Sequence, residues 1–189
     1  MQAECITIAG SALVCAQAKL DGNVQIDEGC VLHPGSIITG CVSLGKHNIV
    51  EDYVKIGSES DLTQTHSITI GDENLFECGC AIGSIQIGNR NLFESKAVAK
   101  KGSTIGSNCI IGQCVVIEEG ERIEDGTIIT CATDDNNQLQ RIFRKMQPSL
   151  LIAHQKTIQR YANALRNSNG PSALTRHHRM RAISSISIT

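Results

Sequence analysis

The sequence predicts an all-β solenoid, a prism of short stacked strands, followed by one C-terminal α-helix. Three observations predict it: an aliphatic residue at every sixth position, a core that must be built without large aromatics, and a change of composition after Asp135. The first is the strongest. Aliphatic side chains stand at Ile8, Val14, Leu20, Ile26, Leu32, Ile38, Leu44, Val50 and Ile56. After an interruption the register resumes at Ile70 and Phe76, slips by one residue, and continues through Ile87, Phe93, Ala99, Ile105, Ile111, Ile117, Ile123 and Ile129. Period six fits neither the 3.6 of a helix nor the 2 of an ordinary strand. It fits a unit of one short strand and one bend, with the aliphatic residue filling the interior. The position four residues later is mostly small, as at Ala12, Ala18, Cys30, Ser36, Cys80, Ala97, Ser103 and Cys109, which suits a crowded corner. Glu121 breaks that rule and marks a distorted corner. Glycines 45, 71, 88, 106 and 112 follow the aliphatic residue and allow the bend. Three hexads close a triangular coil, and about seven coils at about 4.8 Å per strand make a prism roughly 30–35 Å long. Asn48, Asn74 and Asn91 each lie three residues after such a glycine. They suit a stacked ladder or three separate turns equally well.

The second observation bounds the domain. With 189 residues, three Phe, two Tyr and no Trp, the chain makes one modest domain with an aliphatic core. No stretch is apolar enough to span a bilayer as a helix, and Met1-Gln2-Ala3-Glu4 does not begin a secretory signal, so synthesis in the cytosol is expected. An odd count of nine cysteines then reads as reduced thiols, most of them small buried hydrophobes.

The third observation divides the chain. Residues 1–135 hold all 19 acidic side chains and 8 basic ones, whereas residues 136–189 hold the other 9 basic side chains and no acid. The body 1–135 is expected to be the β-helix, with a polar loop at 57–67 where the spacing from Ile56 to Ile70 is 14 instead of 12. Residues 136–148 read as a connector. Residues 149–166 read as a helix that starts at Pro148 and Ser149 and lays Leu151, His154, Ile158, Tyr161 and Leu165 along one flank of the prism. Residues 167–189 read as a flexible basic tail, which either rests on the acidic body or meets an acidic partner.

The pattern aliphatic-Gly-x-x-small-x resembles the hexapeptide repeat of left-handed parallel β-helices over about residues 5–132. The left hand is implied by the resemblance alone, since parallel crossovers are ordinarily right-handed. Such folds include acyltransferases, carbonic anhydrases and scaffold subunits, so the side chains must decide. The related carbonic anhydrases hold a metal with three histidines, two of them five apart. Here the body offers His33, His47 and His66, separated by 14 and 19, which do not fall on equivalent positions of successive coils. Cys78-Gly79-Cys80 has no second cysteine pair. An acyltransferase would need a histidine base with a partner, and neither His47 nor His66 has one in sequence. Nucleic-acid binding finds no support in an acidic body and a basic tail without aromatics. No catalytic, cofactor-binding or metal-binding residue is therefore assigned.

Segments within the repeats are more specific. Gly22 to Ser36, Asn74-Leu-Phe-Glu-Cys-Gly-Cys80, Gly88-Asn-Arg-Asn-Leu-Phe-Glu-Ser-Lys-Ala97 and Cys109-Ile-Ile-Gly-Gln-Cys114 look like those of the dynactin subunit 6 family. That resemblance implies a non-enzymatic scaffold subunit of the pointed-end complex of dynactin, which supports dynein-driven cargo transport along microtubules. The implied partners are a second β-helix subunit, an actin-related subunit and the large pointed-end subunit, and through them dynein and cargo. The implied place is the cytoplasm and its cytoskeleton, with no nucleic acid, no membrane insertion and no cofactor. The competing reading is a homotrimeric β-helix enzyme, a metal hydratase or an acyl-CoA-dependent acyltransferase. The loop at 57–67 is short and lacks Pro, and residues 167–189 contain no Ser-Pro or Thr-Pro, so regulation by a proline-directed kinase is not expected there.

Overall fold

The computed structural model describes residues 5–57, 67–133 and 139–167. The first coil holds β1 (Cys5–Ile8), β2 (Leu13–Val14) and the start of β3 (Lys19–Ile26). Strand β3 turns a corner at Gly22, where φ is 97°, a conformation that a Cβ resists. Its second half opens the second coil, which continues through β4 (Val31–Leu32) into β5 (Ile37–Leu44). The third coil adds β6 (Ile49–Val50) and β7 (Lys55–Ile56), and the fourth holds β8 (Ser67–Ile70), β9 (Leu75–Phe76) and β10 (Ala81–Ile82). Strands β11 (Gln86–Ile87), β12 (Leu92–Phe93) and β13 (Val98–Ala99) form the fifth. Strands β14 (Thr104–Ile105), β15 (Ile110–Ile111) and β16 (Val116–Ile117) form the sixth. A seventh begins with β17 (Arg122–Ile123) and β18 (Thr127–Thr133), after which come β19 (Leu139–Lys145) and α1 (Pro148–Asn167).

Every pairing from β1 to β18 is parallel, and the register stacks like on like. Ile8 lies opposite Ile26, Ile26 opposite Leu44, Leu44 opposite Ile70, and Ile70 opposite Ile87. The interruption in the hexads therefore leaves the columns intact. The one-residue slip is also absorbed at a corner, since Ile87 still stands opposite Ile105. The inward columns form one continuous core from Val24 to Ile129, with Phe76 and Phe93 stacked at 4.9 Å between ring centroids.

The outward side chains separate the three faces. On the face of β2, β4, β6, β9, β12, β15 and β18 they are Leu13, Val31, Ile49, Leu75, Leu92, Ile110 and Ile128, all aliphatic. Helix α1 lies on this face. Val31, Ile49 and Leu75 are buried beneath it, with Leu13, Leu92 and Tyr161 packed at their edges. On the helix, His154 and Ile158 are buried and Leu151 and Tyr161 half-buried, on the flank expected from spacing. The side chain of Leu165 lies outside the described residues.

The connector expected at 136–148 is not a plain connector. Its residues Leu139–Lys145 form β19, antiparallel to β18 with Thr127 opposite Lys145 and Thr133 opposite Leu139. The segment carries no hexad because its pairing is antiparallel and it contributes nothing to the inward columns. It covers the edge of β18 at the C-terminal end of the prism. Arg141 donates to the carbonyl of Val116 at 3.0 Å and to Glu121 at 2.7 Å, and Lys145 donates to the carbonyl of Asp125 at 2.6 Å. Glu121, the residue that broke the corner rule, is thus the acidic half of that cover. Burial is the largest single influence and raises its pKa, but the Arg141 hydrogen bond, the N–H of Glu118 and the Arg141 charge together outweigh it, so the carboxyl sits below its usual range. Residues 58–66 of the expected loop and 168–189 of the expected tail lie outside the described residues.

Candidate functional site

The corners carry the polar chemistry of the molecule, arranged in ladders. Asn48 accepts from the backbone N–H of Asn74, Asn74 from that of Asn91, and Asn91 from that of Cys109, at 2.9, 2.9 and 2.7 Å. Both readings open in sequence are met, since the asparagines stack as a ladder while Asn48 and Asn74 also donate to the carbonyls of Gly45 and Gly71 in their own turns. All three asparagines are fully buried, so these bonds satisfy groups that water cannot reach.

A second ladder stands on the next corner. Glu51 accepts from the N–H of Cys78 at 3.2 Å, Glu77 from that of Ser95 at 2.9 Å, and Glu94 from that of Gln113 at 2.9 Å. Each glutamate binds the coil that follows it. Burial pushes the Glu77 carboxyl above its ordinary range, against the lowering effect of its bonds to Ser95. Glu51 also receives the phenol of Tyr161 at 2.6 Å and the thiol of Cys78 at 3.2 Å. This carboxylate pins the helix to the prism. Burial, then the charge of Glu51, push the Tyr161 phenol up, so it remains a donor at neutral pH.

These contacts explain the two copies of Asn-Leu-Phe-Glu. In residues 74–77 and 91–94 the Asn joins the first ladder, the Leu points outward toward the helix, the Phe stacks in the core, and the Glu joins the second ladder. Asn48-Ile49-Val50-Glu51 repeats the same division of labour one coil earlier. The signal was present in sequence as a glutamate directly after the inward residue in three consecutive coils.

The sequence candidates for chemistry do not converge. His33 is fully buried at a corner, its Nδ1 3.5 Å from Asp52. His47 sits on a different corner in the left-handed region with φ 59°, stacked against Gly29, where a Cβ would meet its ring. His66 lies outside the described residues. His154 comes from the helix and shares a 2.8 Å hydrogen bond with the carbonyl of Arg90. Among the described residues, no three His, Cys, Asp or Glu side chains are grouped to hold a metal. Cys78 and Cys80 also part company. Cys78 faces Glu51, whereas Cys80 is buried and donates to the carbonyl of Glu94 at 3.2 Å. Burial pushes both thiols up to about 12, and Cys30 to about 11. At neutral pH such thiols are protonated, which makes them poor nucleophiles and poor metal ligands.

What the molecule offers instead is surface. Among the described residues, the large exposed hydrophobic side chains are Ile6 and Ile8 at the N-terminal end, Tyr53 on a corner, and Leu139, Phe143, Leu150 and Ile152 around β19 and the start of α1.

Sequence comparison settles the family. The chain is 31% identical over 135 residues to dynactin subunit 6 of Xenopus tropicalis, covering 66% of this chain and 67% of that protein. It is 36% identical over 138 residues to dynactin subunit 6 of Dictyostelium discoideum, covering 70% of each. The chain belongs to the dynactin subunit 6 family. Dynactin subunit 6 of Caenorhabditis elegans is a further relative, 30% identical over 132 residues and matched over 72% of its length. No family model matches the chain. Among solved structures, a putative acetyltransferase from Bacillus cereus superposes with a TM-score of 0.73 at 14% identity, over 96% of this chain and 95% of that one. A hexapeptide transferase family protein from Anaplasma phagocytophilum gives 0.68 at 13% identity, over 84% and 89%. At such identities the likeness concerns the fold alone: this dynactin subunit 6 homologue is a left-handed parallel β-helix of hexapeptide repeats with a C-terminal helix.

Proposed function

We propose that this protein is a non-catalytic structural subunit of dynactin, seated in the pointed-end complex. There it would touch the second β-helix subunit, the actin-related subunit and the large pointed-end subunit. Through them it supports dynein-driven cargo transport along microtubules in the cytoplasm. The observation that carries this reading is the 30–36% identity to dynactin subunit 6 of three distant organisms. The geometry agrees with it: the ladders spend the corner side chains on holding coils together, and the histidines stand on separate corners. A rigid prism with one face covered by its own helix leaves the other faces and the open end for neighbours. In this reading residues 1–135 are the docking body and the helix at 149–166 is its built-in cover.

The test is a mild affinity purification of the tagged chain from its native cytosol, with mass spectrometry of stoichiometric partners and metal analysis of the same eluate. Recovery of an actin-related subunit and a second β-helix protein is the expected result. A homotrimer carrying stoichiometric metal or acyl-CoA would overturn the proposal in favour of an enzyme.

A further inference from the structure

The two ends of the prism differ in how their strand edges are finished. At the C-terminal end β19 supplies the outermost edge on its face and carries Arg141, Arg144 and Lys145, charges of the kind that discourage further strand pairing. At the N-terminal end β1 pairs only with β3, and β2 only with β4, so among the described residues nothing meets their outer edges. Strand β1 reads Cys-Ile-Thr-Ile and has no charge, bulge or proline to protect it. Ile8, whose partner Ile26 and the next residue of its column, Leu44, are core residues, is 43% exposed, and Ile6, opposite the buried Val24, is 44% exposed. At the C-terminal end β16 and β17 also keep an unpaired edge, but the inward Ile117, Ile123 and Ile129 are buried, whereas among the described residues the first coil leaves Ile6 and Ile8 in view.

We infer that the open N-terminal end is the docking surface for the uncharged end coil of another parallel β-helix. The inference rests on the proposed function, which supplies such a neighbour, and it assigns the surface. Strands β1 and β2 belong to two different sheets, on two faces of the triangle. A helix, or a strand running straight, meets one of those edges at most. A coil bent at the same corner meets both and lays its own aliphatic interior on Ile6 and Ile8. The area argues against a second copy of this chain as occupant. The end of one triangular coil offers a few hundred Å² at most, against roughly 1,200–2,000 Å² buried in a stable specific interface. A partner held there must have further contacts in a larger assembly, and two isolated copies would lack them.

The experiment uses the full chain and the second β-helix subunit of dynactin as probe. Hydrogen exchange is read on the chain alone and in the mixture, and affinity is measured for wild type, Ile6→Glu and Ile8→Glu. Alone, the chain should run as a monomer whose β1 and β2 amides exchange faster than those of β9 and β12. In the mixture β1 and β2 should become protected, and each substitution should weaken binding about tenfold or more, since it places an unpaired charge in an apolar contact. Both positions are already exposed, so the melting temperature of the free variants should match wild type, which separates lost docking from lost folding. Binding without protection of β1 and β2, or unchanged by both substitutions, overturns the inference and leaves the proposed function standing. Slow exchange of β1 and β2 in the isolated monomer overturns it too, in favour of a cover from residues 168–189 of the same chain. A stable homodimer protected at β1 and β2 overturns it in favour of a second copy. No binding at all to the dynactin subunit removes the proposed function and the inference with it.

Discussion

On the face beneath the helix the outward side chains of successive coils are Leu13, Val31, Ile49, Leu75 and Leu92, whereas on the face of β8, β11, β14 and β17 they are Thr69, Gln86, Thr104 and Arg122. The inward columns behind the two faces are equivalent: Leu32, Val50, Phe76 and Phe93 on one side, Ile26, Leu44, Ile70 and Ile87 on the other, all buried. What differs is only the residue one step before each inward one. That step decides whether a face is a second core or a solvated surface, because neighbouring residues of a strand point to opposite sides. The prism is thus one interior with two kinds of exterior, and each kind can be altered separately.

The largest expected effect ignores the difference between the faces. Ile111→Asp puts a carboxylate into the fully buried column between Phe93 and Ile129. With no partner there it should cost about 4 kcal/mol or more and abolish the cooperative melt of the middle coils. An unchanged melt would mean that the inward columns are not the common foundation of the faces.

The comparison itself is tested by a pair of truncations one coil apart. Leu75→Ala removes a side chain buried between β9 and the helix and should cost about 2–3 kcal/mol in a denaturant titration. Gln86→Ala, on the solvated face, should stay within about 0.5 kcal/mol of wild type. Equal costs would erase the distinction between the faces. A smaller loss is expected from Tyr161→Phe, which takes the hydrogen bond from Glu51 while keeping the ring packed. It should cost about 1–2 kcal/mol and appear as faster amide exchange in α1 than in the strands.

How much of this could be read from sequence follows from the same geometry. The inward columns recur every six residues and were legible at once, as was the amphipathic helix. The aliphatic outward column recurs only every eighteen residues, since Leu13 stands opposite Val31 and Val31 opposite Ile49, so it is diluted among the mixed outward residues of the other two faces, such as Thr69, Gln86, Lys55 and Val98. The glutamates at 51, 77 and 94 likewise occur once per coil, at spacings of 26 and 17, and so carry no six-residue signal. Strand β19 had no periodic signal because its partner is a single antiparallel strand, and the neighbouring Asp134-Asp135-Asn136-Asn137 pointed to a boundary. Spacing sets His33 and His47 apart, but their surroundings belong to packing. That Arg90 offers its carbonyl to His154, 64 positions away, has no trace in sequence.

The smallest expected effect is a pH dependence confined to the covered face, and its sign is fixed by His154. Burial lowers the pKa of this imidazole from its ordinary 6.5, and the carbonyl of Arg90 only partly opposes the shift. A group whose pKa is lower docked than undocked favours docking while neutral. Its contribution is therefore complete above about 6.5 and is lost as the pH falls from there through the docked value. Glu77 works in the opposite direction: burial raises its pKa, so its protonated form favours the fold and its contribution fades as the pH rises above the ordinary carboxyl range. The two windows meet in mildly acidic solution, so the pH profile of wild type alone would mix them. His154→Gln separates them by removing the titrating ring while keeping a side chain able to bond the carbonyl. Amide exchange in α1, measured between pH 7.5 and 5, should accelerate relative to the strands in wild type and stay flat in the variant. Parallel curves for the two proteins would show that the helix is held by Tyr161 and the aliphatic column alone, with His154 a passive part of the covered face.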